Sequence, residues 1–388
     1  MVVILGTGAL HDPLVAAALR GCGLDAEAAA APTGECLAAG RAVMPRGHPC
    51  TVYYLAGAMV LHARARGGAL GFVTPGDRCG AYATDLQRAL DASGTGGATV
   101  YAPSPERGLG ALGEWLRGAR GVAWGAVLDA LAAGDALSAA GARLRSRGVA
   151  PEEVDARIDA ALRSVSEVLE RGGDTVAAIR RHAPSLRAGR QRSAAGVRVR
   201  VTGELLPAMS VGDPGAHLVR WMEARGAAVE TPLACEWALH QAWRASRCDG
   251  ELARVRAGIL DAWRRHAAAT GHSLPSPIDA AEWVEAAEEW VPVSLCSGAG
   301  FTEIAVYLEV ERSRRAELVV SIKPFASIPS SSASDAVLHA LARKGAVGFL
   351  SLEVNGDGHA QMQSRLELAM DFARRDTAAR RDGRRGST

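Results

Sequence analysis

The chain has 388 residues, long enough for two or three compact domains, so a single small fold is excluded. Hydrophobic residues make up 48% and charged residues 22%, the composition of a globular protein and not of a disordered or fibrous one. Lysine and arginine number 44 against 42 acidic residues, a net charge of +2, which argues against nucleic acid or an anionic membrane as partner.

Of those 44 cations only Lys323 and Lys344 are lysines, a skew that reads as a GC-rich genome and not as phosphate recognition. No stretch approaches the ~18–20 apolar residues that span a bilayer. The opening MVVILGTGALHDP lacks the basic n-region of a signal peptide. A soluble, cytoplasmic protein is expected. Its seven cysteines, Cys22, Cys36, Cys50, Cys79, Cys235, Cys248 and Cys296, form an odd and scattered set. In a reducing compartment such thiols are packing groups, catalytic groups or metal ligands.

In chain order, Val2 to Leu5 reads as a strand ending in Gly6-Thr7-Gly8, followed by a helix from Pro13 to Arg20. The alternation continues with a helix at 50–64, a strand at 69–73, a helix at 81–91 and a strand at 98–102. Strand signals then vanish, and helical spacing holds over 112–131 and 151–181. Residues 185–195 form the best linker. A second unit opens with the alternating strand 197–201, then a helix at 214–225 and a strand at 227–231. Helical material follows to Glu289, then a buried strand at 316–322, a loop at 323–334, a helix at 335–344, a strand at 348–354 and a helix at 360–375. The pattern predicts an α/β protein of two Rossmann-like, doubly wound and mostly parallel sheets. Its parts are an N-terminal domain (1–105), a helical bridge and linker (106–195), a second domain (196–375) with a helical insertion near 236–290, and a disordered tail (376–388).

The familiar nucleotide and hydrolase motifs are missing. Gly6-Thr7-Gly8 follows a strand, but the third glycine of G-x-G-x-x-G would fall on His11, so a tight turn explains the pair better than a dinucleotide loop. There is no P-loop, no G-x-S-x-G elbow and no H-x-x-x-H helix. Two cysteine loops carry more. His48-Pro49-Cys50-Thr51 precedes a helix, and Thr74-Pro75-Gly76-Asp77-Arg78-Cys79-Gly80 joins a strand to a helix. A thiol at a helix N-terminus has its pKa lowered toward the thiolate that binds iron or zinc. Either the two thiols converge at the carboxyl edge of the sheet or each packs beneath its own loop.

His48-Pro49-Cys50 with its following helix, and Gly76-Asp77-Arg78-Cys79-Gly80-Ala81-Tyr82 with Leu86-Gln87, resemble the two cysteine loops of the 2-hydroxyacyl-CoA dehydratase and benzoyl-CoA reductase superfamily. The nearest resemblance is to the C-terminal domain of the large acyl-CoA dehydratase activase proteins. Val201-Thr202-Gly203-Glu204, Ile322-Lys323-Pro324-Phe325-Ala326-Ser327-Ile328-Pro329, Leu350-Ser351-Leu352-Glu353 and Ser364-Arg365-Leu366-Glu367 resemble later motifs of that family in the right order. The similarity spans roughly 10–105 and 196–375 and leaves the helical bridge unmatched.

The resemblance implies a [4Fe–4S] cluster on three cysteine loops. It passes an electron to a CoA thioester with the help of an ATP-hydrolysing activase, here a separate chain, within a homo- or hetero-oligomer. The implied ligands are Cys50 and Cys79, and the third position is Ser327, where the family has cysteine. Arg78-Cys79 also inverts the family's Cys-Arg order. Two readings therefore stand: an iron–sulfur electron-transfer or dehydratase/reductase component, or a cluster-free paralogue serving as a structural or regulatory subunit. Glu204, after a strand, is a candidate acid or base. Ser330, Ser331, Ser332 and Ser334 either cap the next helix or present an anion site there. Arg365 is expected to make an intramolecular contact, and the remaining cysteines to pack.

Overall fold

The computed structural model describes residues 1–4, 10–73, 81–101, 124–188, 196–210, 212–245, 251–292, 299–325, 327–332 and 334–385. The Gly6-Thr7-Gly8 turn, Cys79, Cys248, Cys296, the start of the helix predicted over 112–131 and most of the linker lie outside the described residues.

Two four-stranded parallel sheets form the frame. The first contains β1 (Val2–Ile4), β2 (Ala26–Ala28), β3 (Leu70–Val73) and β4 (Ala98–Tyr101) in the order β2-β1-β3-β4. The second contains β5 (Arg198–Gly203), β6 (Ala228–Glu230), β7 (Leu318–Pro324) and β8 (Gly348–Val354) in the order β6-β5-β7-β8. Each half thus repeats one spatial pattern, a first strand flanked by its second and third, with the fourth outside. The sequence alone does not show this repetition.

Helices cover both faces of each sheet. In β7 the alternation of a strand sends Leu318, Val320 and Ile322 to one core, where they meet Leu366 and Met370 of the terminal helix. Val319 faces the opposite core with Phe301, Ile304 and Leu338. In the first sheet Val3 and Phe72 pack against Val52 and Met59, while Val2 and Ile4 pack against Ala16 and Leu19. The helix α1 (His11–Gly21) lies on that second face, and α2 (Gly34–Val43) and α3 (Cys50–Arg66) follow it in the chain.

Leu37 of α2 and Cys50 and Tyr54 of α3 belong to the core of the second sheet, not the first. These two helices therefore clamp the halves together and carry Cys50 across. Between the halves run the helices Trp124–Ser146, Pro151–Glu170 and Thr175–Arg187, and their buried face closes on Leu14, Ala17 and Ala18 of α1. The helices Ala234–Ala245 and Glu251–Ala269 pack onto Ala132 and Ala136 of the same bundle.

Three differences from the sequence reading have local causes. β2 is Ala-Glu-Ala, which carries no strand signal; its parallel pairing with Val2–Ile4 makes it one. β7 runs two residues further than predicted because Lys323 and Pro324 pair with Glu353 and Val354. The terminal helix runs His359–Arg385 past the predicted end at residue 375, since nothing from 376 to 382 breaks it. No helix among the described residues is long and apolar enough to cross a membrane.

A buried histidine couples the helical bundle to pH. His266 donates from Nδ1 to the Ala262 carbonyl (2.7 Å), and its Nε2 meets the Thr175 hydroxyl at 2.8 Å. Burial holds its pKa below the ordinary 6.5, as it does for His272. A base with a depressed native pKa binds its proton more readily when unfolded, so this stability is whole above about pH 6.5 and is lost as pH falls below it. Urea unfolding at pH 7.5 and pH 5.5 should show a loss of at most about 1.4 kcal/mol over that interval from His266. In His266→Gln that loss should shrink; an unchanged loss would refute the assignment.

Candidate functional site

In each sheet chain order reverses between the first strand and the third, the place where parallel sheets open a crevice at their carboxyl ends. In the first sheet the segments leaving those strands, 5–9 and 74–80, lie outside the described residues. In the second they begin with Glu204 after β5 and, after β7, include Phe325 and Ser327.

Gly203 turns the chain at the end of β5 with φ +117°, a conformation closed to side-chain-bearing residues. The Glu204 N–H then donates to the Ile322 carbonyl (3.1 Å), which directs the carboxylate over the edge. There Ser327, only 5% exposed, donates its hydroxyl to Glu204 Oε1. Burial raises the Glu204 pKa above 4.5; Ser327 and Lys323 oppose the shift and the Glu303 charge adds to it.

Cys50 reaches the same edge from the other half of the chain. It is the first residue of α3, and its Sγ donates to the Val354 carbonyl (3.1 Å), the acceptor also used by the Phe325 N–H (2.8 Å). The lowered pKa expected of a helix N-terminus is reversed. Burial pushes the thiol up to about 12, Arg41 and the Thr51 N–H offset only part of this, and the Glu204 charge raises it further. At neutral pH Cys50 is a thiol.

Beneath the edge lies a network that the sequence reading did not find. Lys323 is fully buried, and its Nζ donates to Glu303 (3.2 Å), Asp335 (2.6 Å) and the Ser330 carbonyl (3.3 Å). Ser321 donates to Glu303 (2.6 Å) and Ser351 to Asp335 (2.9 Å). One cue was available: a lysine kept at a strand end in a chain with two lysines. The network also answers the question of the serine-rich helix start. The carboxylate at that N-terminus is the protein's own Asp335, Ser334 bonds the Ser330 carbonyl, and Ser331 donates to Glu353 (2.5 Å). Arg365 donates to the Ser351 carbonyl (2.9 Å), the expected intramolecular contact.

Cys50, Glu204 and Ser327 thus converge, while Cys79 lies outside the described residues. Cys22, Cys36 and Cys235 are free thiols, and Cys36 packs against the core that holds Cys50. A [4Fe–4S] cluster takes thiolates. At this edge the described residues supply one thiol, Cys50, beside a Ser327 hydroxyl that is bonded to Glu204 and takes the place of a third thiolate. Among the described residues no group of three or more His, Cys, Asp or Glu could hold a metal ion. The arrangement is instead suited to holding a proton on a shielded carboxyl next to a hydroxyl. No protein-family model and no curated protein matches the chain.

Proposed function

We propose that this chain is a cluster-free relative of the 2-hydroxyacyl-CoA dehydratase and benzoyl-CoA reductase proteins. It has two Rossmann-like domains and serves as a structural or regulatory subunit beside an ATP-hydrolysing activase in the cytoplasm. The observation that carries this reading is the Ser327–Glu204 hydrogen bond at the second sheet's crevice. Where the resemblance implies a third thiolate, a hydroxyl is tied to a carboxylate instead. The meeting of loops from both halves at this edge, with Cys50 among them, supports the superfamily-type placement.

The test is iron and sulfide analysis of protein purified without oxygen and then reconstituted with iron and sulfide. Colourless protein with no bound iron is expected. About four iron atoms per chain with broad visible absorption would mean one [4Fe–4S] cluster. That result would overturn this reading in favour of an iron–sulfur electron-transfer or dehydratase component.

A further inference from the structure

At the other end of the second sheet from the Glu204–Ser327 edge lies a cavity of about 410 Å³. Arg198 and Val199 at the start of β5, Ala228 at the start of β6, and Ala139, Ala142 and Arg143 of the helix Trp124–Ser146 line it, together with Ser273, Leu274 and Pro275. Of its apolar residues, Ala139, Ala142, Ala228, Leu274 and Pro275 are not fully buried, so apolar surface stands open there. A cavity of that size with an apolar lining and a few polar groups has the form of a small-molecule site.

Two of the arginines at this cavity are neutralised. Arg198 pairs with Glu317 (2.5 Å), and Arg315 pairs with Glu309 (3.1 Å) and Glu230 (3.5 Å). Arg143 is exposed, and among the described residues it forms no ion pair. The same holds for Arg147 and Arg187. These three charges surround the loop that leads into Ser273. A Cβ on Gly271 would stand 2.8 Å from Cδ and Nε of Arg187, so that side chain lies on the loop. Next in the chain, His272 donates from Nε2 to the Leu186 carbonyl (2.7 Å). Burial first, and then the charges of Arg147, Arg143 and Arg187, hold its pKa below the ordinary 6.5. One cation at a helix C-terminus is expected by itself, and Arg143 and Arg187 stand in such last turns. Three guanidinium groups around one loop with no carboxylate among them repel one another, and an anion bound there relieves that repulsion.

We propose that this cavity binds a small organic carboxylate with an apolar chain, its head on Arg143 and Ser273 and its chain along Ala139, Ala142 and Leu274. One unpaired cation inside the cavity suits a single negative charge, and Arg147 and Arg187 add their field at the mouth. The inference goes beyond the subunit role proposed above and stands whether or not iron is found at the other end of the sheet.

The probe is sodium octanoate, titrated calorimetrically into the full chain, with octylammonium chloride as the cationic control and sodium butyrate as the short-chain control. Octanoate should bind saturably at one site per chain, and octylammonium should not. Butyrate should bind more weakly by about tenfold or more, because four methylenes lose their burial. Arg143→Gln should weaken octanoate binding by about threefold, and Arg143→Gln with Arg147→Gln by about tenfold, the scale of exposed charge pairs. Arg64→Gln, at an exposed arginine of α3 outside the cavity, should leave it unchanged. Proton NMR of His272, assigned by its loss in His272→Gln, should show its pKa rise on saturation with octanoate, since an anion has come among the arginines. No saturable binding, equal binding of octylammonium, an equal effect of Arg64→Gln, or a His272 pKa unmoved by octanoate would overturn the proposal.

Discussion

Replacing Lys323 with methionine is expected to lower the unfolding free energy by about 3–5 kcal/mol, the range for removing one partner of a buried ion pair. The ammonium is completely buried and bridges Glu303, itself fully buried, to Asp335. Without it a carboxylate stays in the core with the Ser321 hydroxyl as its donor. Much of the loss is thus the penalty of the orphaned Glu303 charge, so Lys323→Met with Glu303→Gln should recover part of it. Burial already raises the Glu303 pKa, with Lys323 the largest opposing influence. In the single variant the native carboxyl holds its proton to higher pH than the unfolded one. That variant should therefore gain stability as pH falls toward the Glu303 transition. Urea denaturation at several pH values measures both effects, and a loss below about 1 kcal/mol would show that Lys323 does not hold the network.

The second large effect is expected from Gly203→Ala, at about 3 kcal/mol or more from backbone strain and overpacking together. A Cβ there would lie 2.1 Å from the Ile322 carbonyl oxygen and 2.7 Å from the Ile322 nitrogen, all backbone of the neighbouring strand. The residue must also keep φ near +117°. Relief requires β5 and β7 to part at their carboxyl ends, which moves Glu204 off Ser327. Thermal unfolding should report the loss. Cys50 should become more reactive toward a thiol reagent as the edge loosens, and an unchanged melting curve would contradict the close approach.

The crevice itself was partly legible. Cys50, Glu204 and Ser327 could each be placed after a loop or strand end because glycine, proline and β-branched runs mark such junctions. Their convergence was not legible, since it depends on α3 crossing from the first half to the core of the second. The protonation of Cys50 shows the same limit. Helix position predicts a lowered pKa, and burial against the Val354 carbonyl, which no local pattern encodes, reverses it. The Lys323 network escaped because Glu303, Asp335 and Ser351 come from three separate elements.

The length, near-neutral charge and alternating apolar runs with which the sequence opens determined an α/β protein of two sheet-forming halves with helices between them. Periodicity of two or of 3.6 is a local property and survives without coordinates. Only the tertiary structure decided that both sheets share one strand order, that Cys50 serves the second half, and that a lysine and three carboxylates lie at or beneath one edge. Those outcomes follow from which surfaces exclude water against one another. Burial of that kind is a property of pairs distant in sequence, and it sets the charge state of each group at the site.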